Sequence, residues 1–560
     1  MIQDEEKWFK QLKESINYVS LKDRPIAYFC AEYALNSELS IYAGGLGVLA
    51  GDYVRESGDR GIPLVAVGIY YSKGFTHKEL SPEGRVVDLD NGKNAEEAGL
   101  KVVKNEKGED VLVTVPIGDR KVWVKAWLWE YKSAKVYLLD TKTDANSEQD
   151  QHITETLYTT DKETRLKQEM ILGIGGLRML FKMNYHPTIY HFNEGHSAFL
   201  IYELIHHEMV EHGLNFEMAR EKVKLHVLFT NHTLVPAGND VFSNDLVSLE
   251  LSHYAEEVEI PIKELVDLGL VQQSSSFSMT MLAMRSAGKI NAVSKLHAIK
   301  AKEIWTDHPM QAITNGIHLP TWDRIGDEEI WLAHRENKRK LIKIIEDQTG
   351  TIWEEKAIIL GWARRIVRYK RPLALVERLK QFSEMARDNE RPVHVVFAGI
   401  SHPADDDGKE ILEELQYRLT ADLKGVAVYL PHYNLNLARI MVAGSDVWIN
   451  TPVVGFEACG TSGMKAALNG VLPMSTRDGW VDEVEMLGIG WALPDNDLTD
   501  QMLETLKEKI LPLYYRRNLA GIPEDWVKMM RNARELIRNE FSMTRALRQY
   551  LNEGMGIKLD

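Results

Sequence analysis

The stretch Glu457-Ala458-Cys459-Gly460-Thr461-Ser462-Gly463-Met464-Lys465 joins an acid, a run of small residues and a lysine. Gly460 to Gly463 leave backbone N–H groups free where a helix begins, and anions settle at such a start. Lys465 falls one turn further on, within reach of the same cavity. A lysine beside a phosphate-shaped nest is what a covalently held pyridoxal phosphate requires. The pattern also fits an ordinary helix start with a solvated lysine. A second concentration of charge is Arg364-Arg365-Ile366-Val367-Arg368-Tyr369-Lys370-Arg371. Arginine donors form a fixed fork that suits phosphate. The alternative is a solvated basic patch. Gly44-Gly45-Leu46-Gly47 is a glycine-rich turn between a strand and a helix, again the context of a phosphate cradle. Its spacing is not G-x-G-x-x-G, so no dinucleotide is implied; close helix packing is the other reading. His232 follows an apolar run and reads either as a substrate contact or as a core histidine. His207 and His212 are five apart and miss the shared helix face that two metal ligands need, so no metal site is expected.

These residues need elements to hold them. Apolar runs predict strands over 26–30, 63–71, 187–192, 224–230 and 290–294, with period-two hairpin strands over 111–140. Helices are predicted to about 59 after the glycine turn, over 160–183 with Arg165, Lys167 and Gln168 on a polar face, and over 197–212. A charged helical bridge over 324–355 leads to strands over 357–362, 393–398, 426–430, 447–450 and 471–475, with helices between them. Met464 to Leu468 reads as a helix closed by Asn469-Gly470. Repeated strand–helix units imply largely parallel, doubly wound sheets, whose ligands bind outside the carboxyl ends of the strands. The basic cluster and the Glu457 stretch both fall at such ends.

The totals narrow the function. A chain of 560 residues is too long for one core, so roughly two to four domains are expected. It is 44% hydrophobic and 27% charged, as a globular protein is. Lys and Arg total 67 against 82 Asp and Glu, a net charge of −15, which argues against nucleic-acid or anionic-membrane surfaces. Any anionic substrate must then meet a local basic cluster. Two cysteines, Cys30 and Cys459, exclude a disulfide framework and suit a reducing, cytoplasmic setting. No signal peptide is expected from the acidic start, and no apolar run approaches the ~20 residues of a membrane span.

Taken in order, the Gly44 loop, Asn193-Glu194-Gly195-His196, Asn231-His232-Thr233, Asn315-Gly316-Ile317, the Arg364–Arg371 cluster and Glu457 to Lys465 resemble the α-glucan phosphorylases, the glycogen, starch and maltodextrin enzymes. The resemblance covers most of residues 26–490 and points to the short bacterial and archaeal branch. It implies an α/β fold of two Rossmann-like lobes facing across a cleft, the GT-B type, with lobes over 1–325 and 326–524 and a C-terminal helix over 525–560 crossing back. It implies pyridoxal phosphate on Lys465 as a Schiff base, with the cofactor's phosphate exchanging a proton with inorganic phosphate. The products would be α-glucose 1-phosphate, with retention, and a shortened α-1,4-glucan. By the same resemblance Arg365 and Lys370 would hold substrate phosphate, helped by Gly45 and its neighbours Gly44 and Leu46, and Arg364, Thr461 and Gly460 would meet the cofactor. His232 would touch the sugar ring, while Asn315, Tyr369, Glu457 and Cys459 would line the glucose site. The family usually has lysine at Arg364 and serine at Cys459, and its larger members have asparagine at Gly463. A homodimer is common among relatives. Two other readings share the fold: a nucleotide-sugar glycosyltransferase gripping a diphosphate, and a silent glucan-binding protein.

Overall fold

The computed structural model describes residues 2–75, 77–80, 86–89, 94–235, 238–271, 274–402 and 405–559. In the second half six strands form one sheet in the order Ala427–Leu430, Val393–Ala398, Ile358–Ala363, Val447–Asn450, Leu472–Thr476, Trp491–Leu493. Every neighbouring pair is parallel. Numbered along the chain the order is 3-2-1-4-5-6, the doubly wound arrangement, and it reverses between Ile358–Ala363 and Val447–Asn450. In a sheet of this topology the ligand crevice lies beyond the carboxyl ends of those two strands. Ile358–Ala363 is buried along its whole length, because helices cover both faces of a parallel sheet.

The first half holds a sheet of ten strands. Its parallel part runs Gln311–Ala312, Lys289–Ala292, Val227–Asn231, Ile189–Asn193, Ile26–Cys30, Leu64–Ile69, Ala134–Asp140. It reverses between Ile26–Cys30 and Ile189–Asn193. The hairpins of 111–140 do not form a separate insert. Ala134–Asp140 joins the sheet edge in parallel with Leu64–Ile69, and Arg120–Tyr131 adds to it antiparallel.

Several elements differ from the sequence reading. The strand expected from Lys224 starts at Val227, because Phe216–Lys224 is a helix. Asn215 caps that helix, and Ala219 and Val223 are its buried face. The helix over 160–183 forms, but its expected polar face is buried. Arg165 pairs with Asp240 at 2.7 Å, Lys167 faces Glu250 at 3.6 Å, and Gln168 donates to the Ile153 carbonyl at 2.8 Å. The strand Trp491–Leu493 was not anticipated. The C-terminal segment is two main helices, Glu524–Glu540 and Met543–Gln549, broken where Ser542 caps the second. The first packs into the core of the six-stranded sheet through Trp526, Met530 and Ile537. The second packs into the core of the ten-stranded sheet through Met543, Ala546 and Leu547. At the break Ile317 donates its N–H to the Phe541 carbonyl at 2.9 Å, and Met543 donates to the Ile317 carbonyl at 2.7 Å. Gly316 permits this approach, since a Cβ there would collide with the Ser542 carbonyl. No helix among the described residues is long and apolar enough to cross a membrane.

Candidate functional site

Arg364 stands one residue past Ile358–Ala363, at the crevice of the second sheet, and is only 8% exposed. One arm donates to the Ile449 carbonyl at 3.0 Å, its guanidinium lies 5.4 Å from the Trp362 ring, and its buried Nε has no partner. Burial lowers its pKa, and Glu457 is the leading charge that offsets this. Arg365 beside it is exposed and makes no ion pair among the described residues. Lys370 ends the short turn Arg368–Lys370 and meets Glu457 at 3.1 Å. Burial opposes the Lys370 charge, but Glu457 outweighs it and holds the ammonium above the usual lysine pKa. Tyr369 is half-buried beside them.

The loop carrying Glu457 is fastened from two sides. Arg371 donates to the carbonyls of Thr451, at 2.8 Å, and Pro452, at 2.6 Å. The Asp478 carboxylate accepts the N–H groups of Gly455 and Glu457, each at 3.0 Å. Burial drives the Asp478 carboxyl up to about 7, and the nearby Glu457 charge adds to the effect. Gly460 follows with Glu457 against it: a Cβ there would lie 2.9 Å from Glu457 Oε1.

Lys465 lies on the helix Ser462–Leu468, whose cap position is Thr461. It is 5% exposed. Its Nζ donates to Thr461 Oγ1 at 3.0 Å, sits 4.3 Å from the Trp322 ring centroid, and has no ion-pair partner among the described residues. Burial holds its pKa down to about 8. Trp322 is fixed in turn by Asp52, which accepts its indole N–H at 2.9 Å. Asn469 and Gly470 close the helix, Gly470 at φ +76°, and Asn469 also donates to the Trp322 carbonyl at 2.9 Å.

On the first sheet Glu32 follows Ile26–Cys30. Its carboxylate accepts the N–H groups of Ala43, at 2.5 Å, and Gly44, at 3.2 Å, and the Tyr158 hydroxyl at 2.8 Å. The Gly44 N–H is therefore already engaged. Gly45 and Leu46 open the helix Gly45–Arg60, where first-turn N–H groups have no intrahelical acceptor. Gly45 is exposed, with nothing within 4 Å of where a Cβ would stand. His232 donates its backbone N–H to Glu194 at 2.5 Å, and its Nε2 lies 2.5 Å from Asn193 Oδ1. Burial, helped by neighbouring histidines, holds the imidazole down to about 3, so it is neutral at pH 7. Glu194 takes φ +71°, ψ 173°, a strained conformation for any residue but glycine, and burial raises its carboxyl to about 8.

The halves meet along one seam. Asn315 Nδ2 donates to the Cys459 carbonyl at 3.1 Å, leaving Oδ1 buried and without a partner. Ser294 donates to the Ala458 carbonyl at 2.6 Å. The Cys459 side chain packs into the core of the six-stranded sheet, and burial pushes its thiol up.

The structure thus joins Lys370 to Glu457, Thr461 to Lys465, and Asn315 to Cys459. No hydrogen bond or ion pair among the described residues links His232, Gly45 or Leu46 to the second-sheet group. Glu32, Glu194, Asp478 and Trp322 were not picked out as site residues. Asp478 and Glu194 stood within strand-end motifs and could have been. Trp322 gave no local signal, because its partners Asp52 and Lys465 lie far off in the chain. Among the described residues two groups have metal-ligand geometry, Glu56–Asp59–His318 and Glu169–His196–Asp240. Basic side chains already neutralise both, Arg60 and Lys132 in the first and Arg165 in the second.

A family model described as carbohydrate phosphorylase matches residues 316–488. The maltodextrin phosphorylase of Thermococcus litoralis is 35% identical, over 98% of this chain and 72% of its own. The glycogen phosphorylase of Aquifex aeolicus is 32% identical, over 96% of this chain and 87% of its own. That of Mycobacterium tuberculosis is 29% identical, over 97% and 72%.

Proposed function

The chain belongs to the carbohydrate phosphorylase family, and on that premise we propose that it releases the terminal α-1,4-linked glucose of glycogen or maltodextrin as α-D-glucose 1-phosphate. One observation carries the reading to the site. Arg364 and Lys465 are two buried cations without an ion-pair partner among the described residues, in a chain of net charge −15. A buried charge is retained where something compensates it.

The residues fit pyridoxal phosphate. Lys465 offers an amine of depressed pKa held by the Thr461 hydroxyl against the Trp322 ring, and Arg364 offers a buried, unpartnered Nε. Lys465 would hold the group covalently, with Arg364, Thr461 and Gly460 around its phosphate. When bound, it would supply a phosphate that exchanges a proton with the substrate phosphate. Arg365, without an ion pair among the described residues, and Lys370, oriented by Glu457, would bind that substrate phosphate together with the Gly44-Gly45-Leu46 turn. Asn315 Oδ1, a buried acceptor without a hydrogen bond, and Glu457, held by its ion pair with Lys370, would take glucose hydroxyls, beside Tyr369 and Cys459. The neutral His232 can lie against a cationic sugar without repelling it. The C1–O bond to the leaving glucan breaks as a phosphate oxygen bonds to C1 on the same face. The phosphate proton passes to the departing O4.

The reading extends to organisation. We take 1–325 and 326–524 as the facing lobes, supported by the two cores, and 525–560 as the segment that returns to the first. A homodimer in the cytoplasm is part of the proposal, the latter supported by two buried, unpaired cysteines.

The test is release of glucose 1-phosphate from maltodextrin and phosphate by protein supplied with pyridoxal phosphate. No release sinks the reading and favours a silent glucan binder. Arg365→Ala is expected to raise the KM for phosphate by about tenfold or more, as loss of a charge-assisted contact does, and far more than the KM for maltodextrin. The reverse order in initial-rate kinetics would remove Arg365 from the phosphate site.

A further inference from the structure

Phe456 is 48% exposed on a loop whose backbone is not free to move. Arg371 grips the loop at Thr451 and Pro452, Asp478 holds the N–H groups on either side of Phe456, and the Phe456 N–H itself donates to the Val453 carbonyl at 3.1 Å. The neighbouring Glu457 turns inward to Lys370 while Phe456 turns out. A large aromatic side chain held open to water contributes little to folding.

Its surroundings give it a use. The Phe456 ring lies 6.1 Å from that of Tyr369, tilted by 33°. Tyr369 belongs to the turn after Ile358–Ala363, and Phe456 to the loop after Val447–Asn450. The two rings therefore bridge the crevice where the strand order reverses. Gly455, at φ +87°, brings the same loop against the first half of the chain: a Cβ there would be 3.6 Å from Lys300 Cε. Phe456 therefore stands next to Glu457 on a loop that meets the first half of the chain.

A pyranose ring has an apolar C–H face and a polar rim of hydroxyls, and the flat face of an aromatic ring matches the former. We infer that Phe456, backed by Tyr369, is the platform for the glucose unit adjoining the one that is transferred. This rests on the reading that Glu457 holds the transferred glucose. The platform sets affinity for the glucan chain separately from affinity for phosphate, because Phe456 is exposed while the neighbouring Glu457 turns inward to Lys370.

Phe456→Ala and Phe456→Tyr separate the possibilities. In the synthetic direction, Phe456→Ala is expected to raise the KM for a maltoheptaose primer about tenfold, the worth of one aromatic contact. The KM for glucose 1-phosphate should stay within about twofold, and Phe456→Tyr should restore the primer KM. Calorimetric titration of maltoheptaose in the absence of phosphate should show the same loss and the same rescue. An unchanged primer KM, or an equal rise in both constants, overturns the platform. If the parent protein makes no glucose 1-phosphate, the phosphorylase reading fails and titration alone decides: weakened binding in Phe456→Ala upholds the platform, and unaltered binding overturns it.

Discussion

Lys465→Ala is expected to lower glucose 1-phosphate formation by more than about 10,000-fold, beyond the loss of a single acid–base group. The reason lies in the amine's surroundings. At a pKa of about 8, roughly a tenth of the lysine is neutral at pH 7, against about one in 2,500 for an ordinary lysine. Only the neutral amine is a nucleophile toward a carbonyl group. Burial supplies this state, and the Thr461 hydroxyl and Trp322 face position it without fixing a charge on it. A second measurement is independent of turnover. Borohydride reduction of protein supplied with pyridoxal phosphate, followed by peptide mass mapping, should place the added group on Lys465, and the alanine variant should carry none. Undiminished activity in the variant, or the group on another lysine, would end the assignment.

The second large effect is on stability. Lys338→Met is expected to destabilise the fold by about 3–5 kcal/mol, because it strands a buried carboxylate. Lys338 and His334 lie one turn apart on the helix Ile330–Thr349, and both reach Asp446, at 2.6 Å and 3.0 Å. Lys338 also donates to the Ala357 carbonyl and the Tyr514 hydroxyl. Asp446 and Ala357 precede Val447–Asn450 and Ile358–Ala363, so this cluster fastens the amino ends of the strands whose carboxyl ends carry the site. Burial pushes the Asp446 carboxyl up, but Lys338 and His334 overcome it and hold it below the usual value. A carboxyl depressed by folding stabilises above its unfolded pKa, about 4, and that contribution is lost as pH falls through the lower folded value. Urea unfolding of the parent should weaken in that acid range, and the Lys338→Met variant should lack this part of the pH dependence. A variant within about 1 kcal/mol of the parent would contradict the account.

Much of this molecule is legible along the chain. Ile26–Cys30, Val393–Ala398 and Val447–Asn450 are apolar on both faces, so their positions and even their limits follow from composition. The candidate residues Arg364, Lys370 and Glu457 lie beyond strand ends, where a doubly wound sheet binds its ligands. What stays hidden is partnership across distance. Arg165, Lys167 and Lys338 look like solvent-facing charges until Asp240, Glu250 and Asp446 are brought to them. Asp478 matters through two backbone N–H groups, which have no side-chain signature. Likewise Glu32 claims the N–H of Gly44, a glycine that alone reads as open to a ligand.

The meeting of Ile317 with Phe541 and Met543 has a mechanical meaning. The chain passes from one sheet to the other near Ile317 and returns at Ser542, and the two passages are stitched together by a pair of backbone bonds. Two ribbons joined side by side bend about a common line but resist twisting. The crossing between the sheets is thereby a double passage of chain pinned at two backbone points. A separate tie joins the two halves where His402 donates to the Tyr158 carbonyl at 2.8 Å.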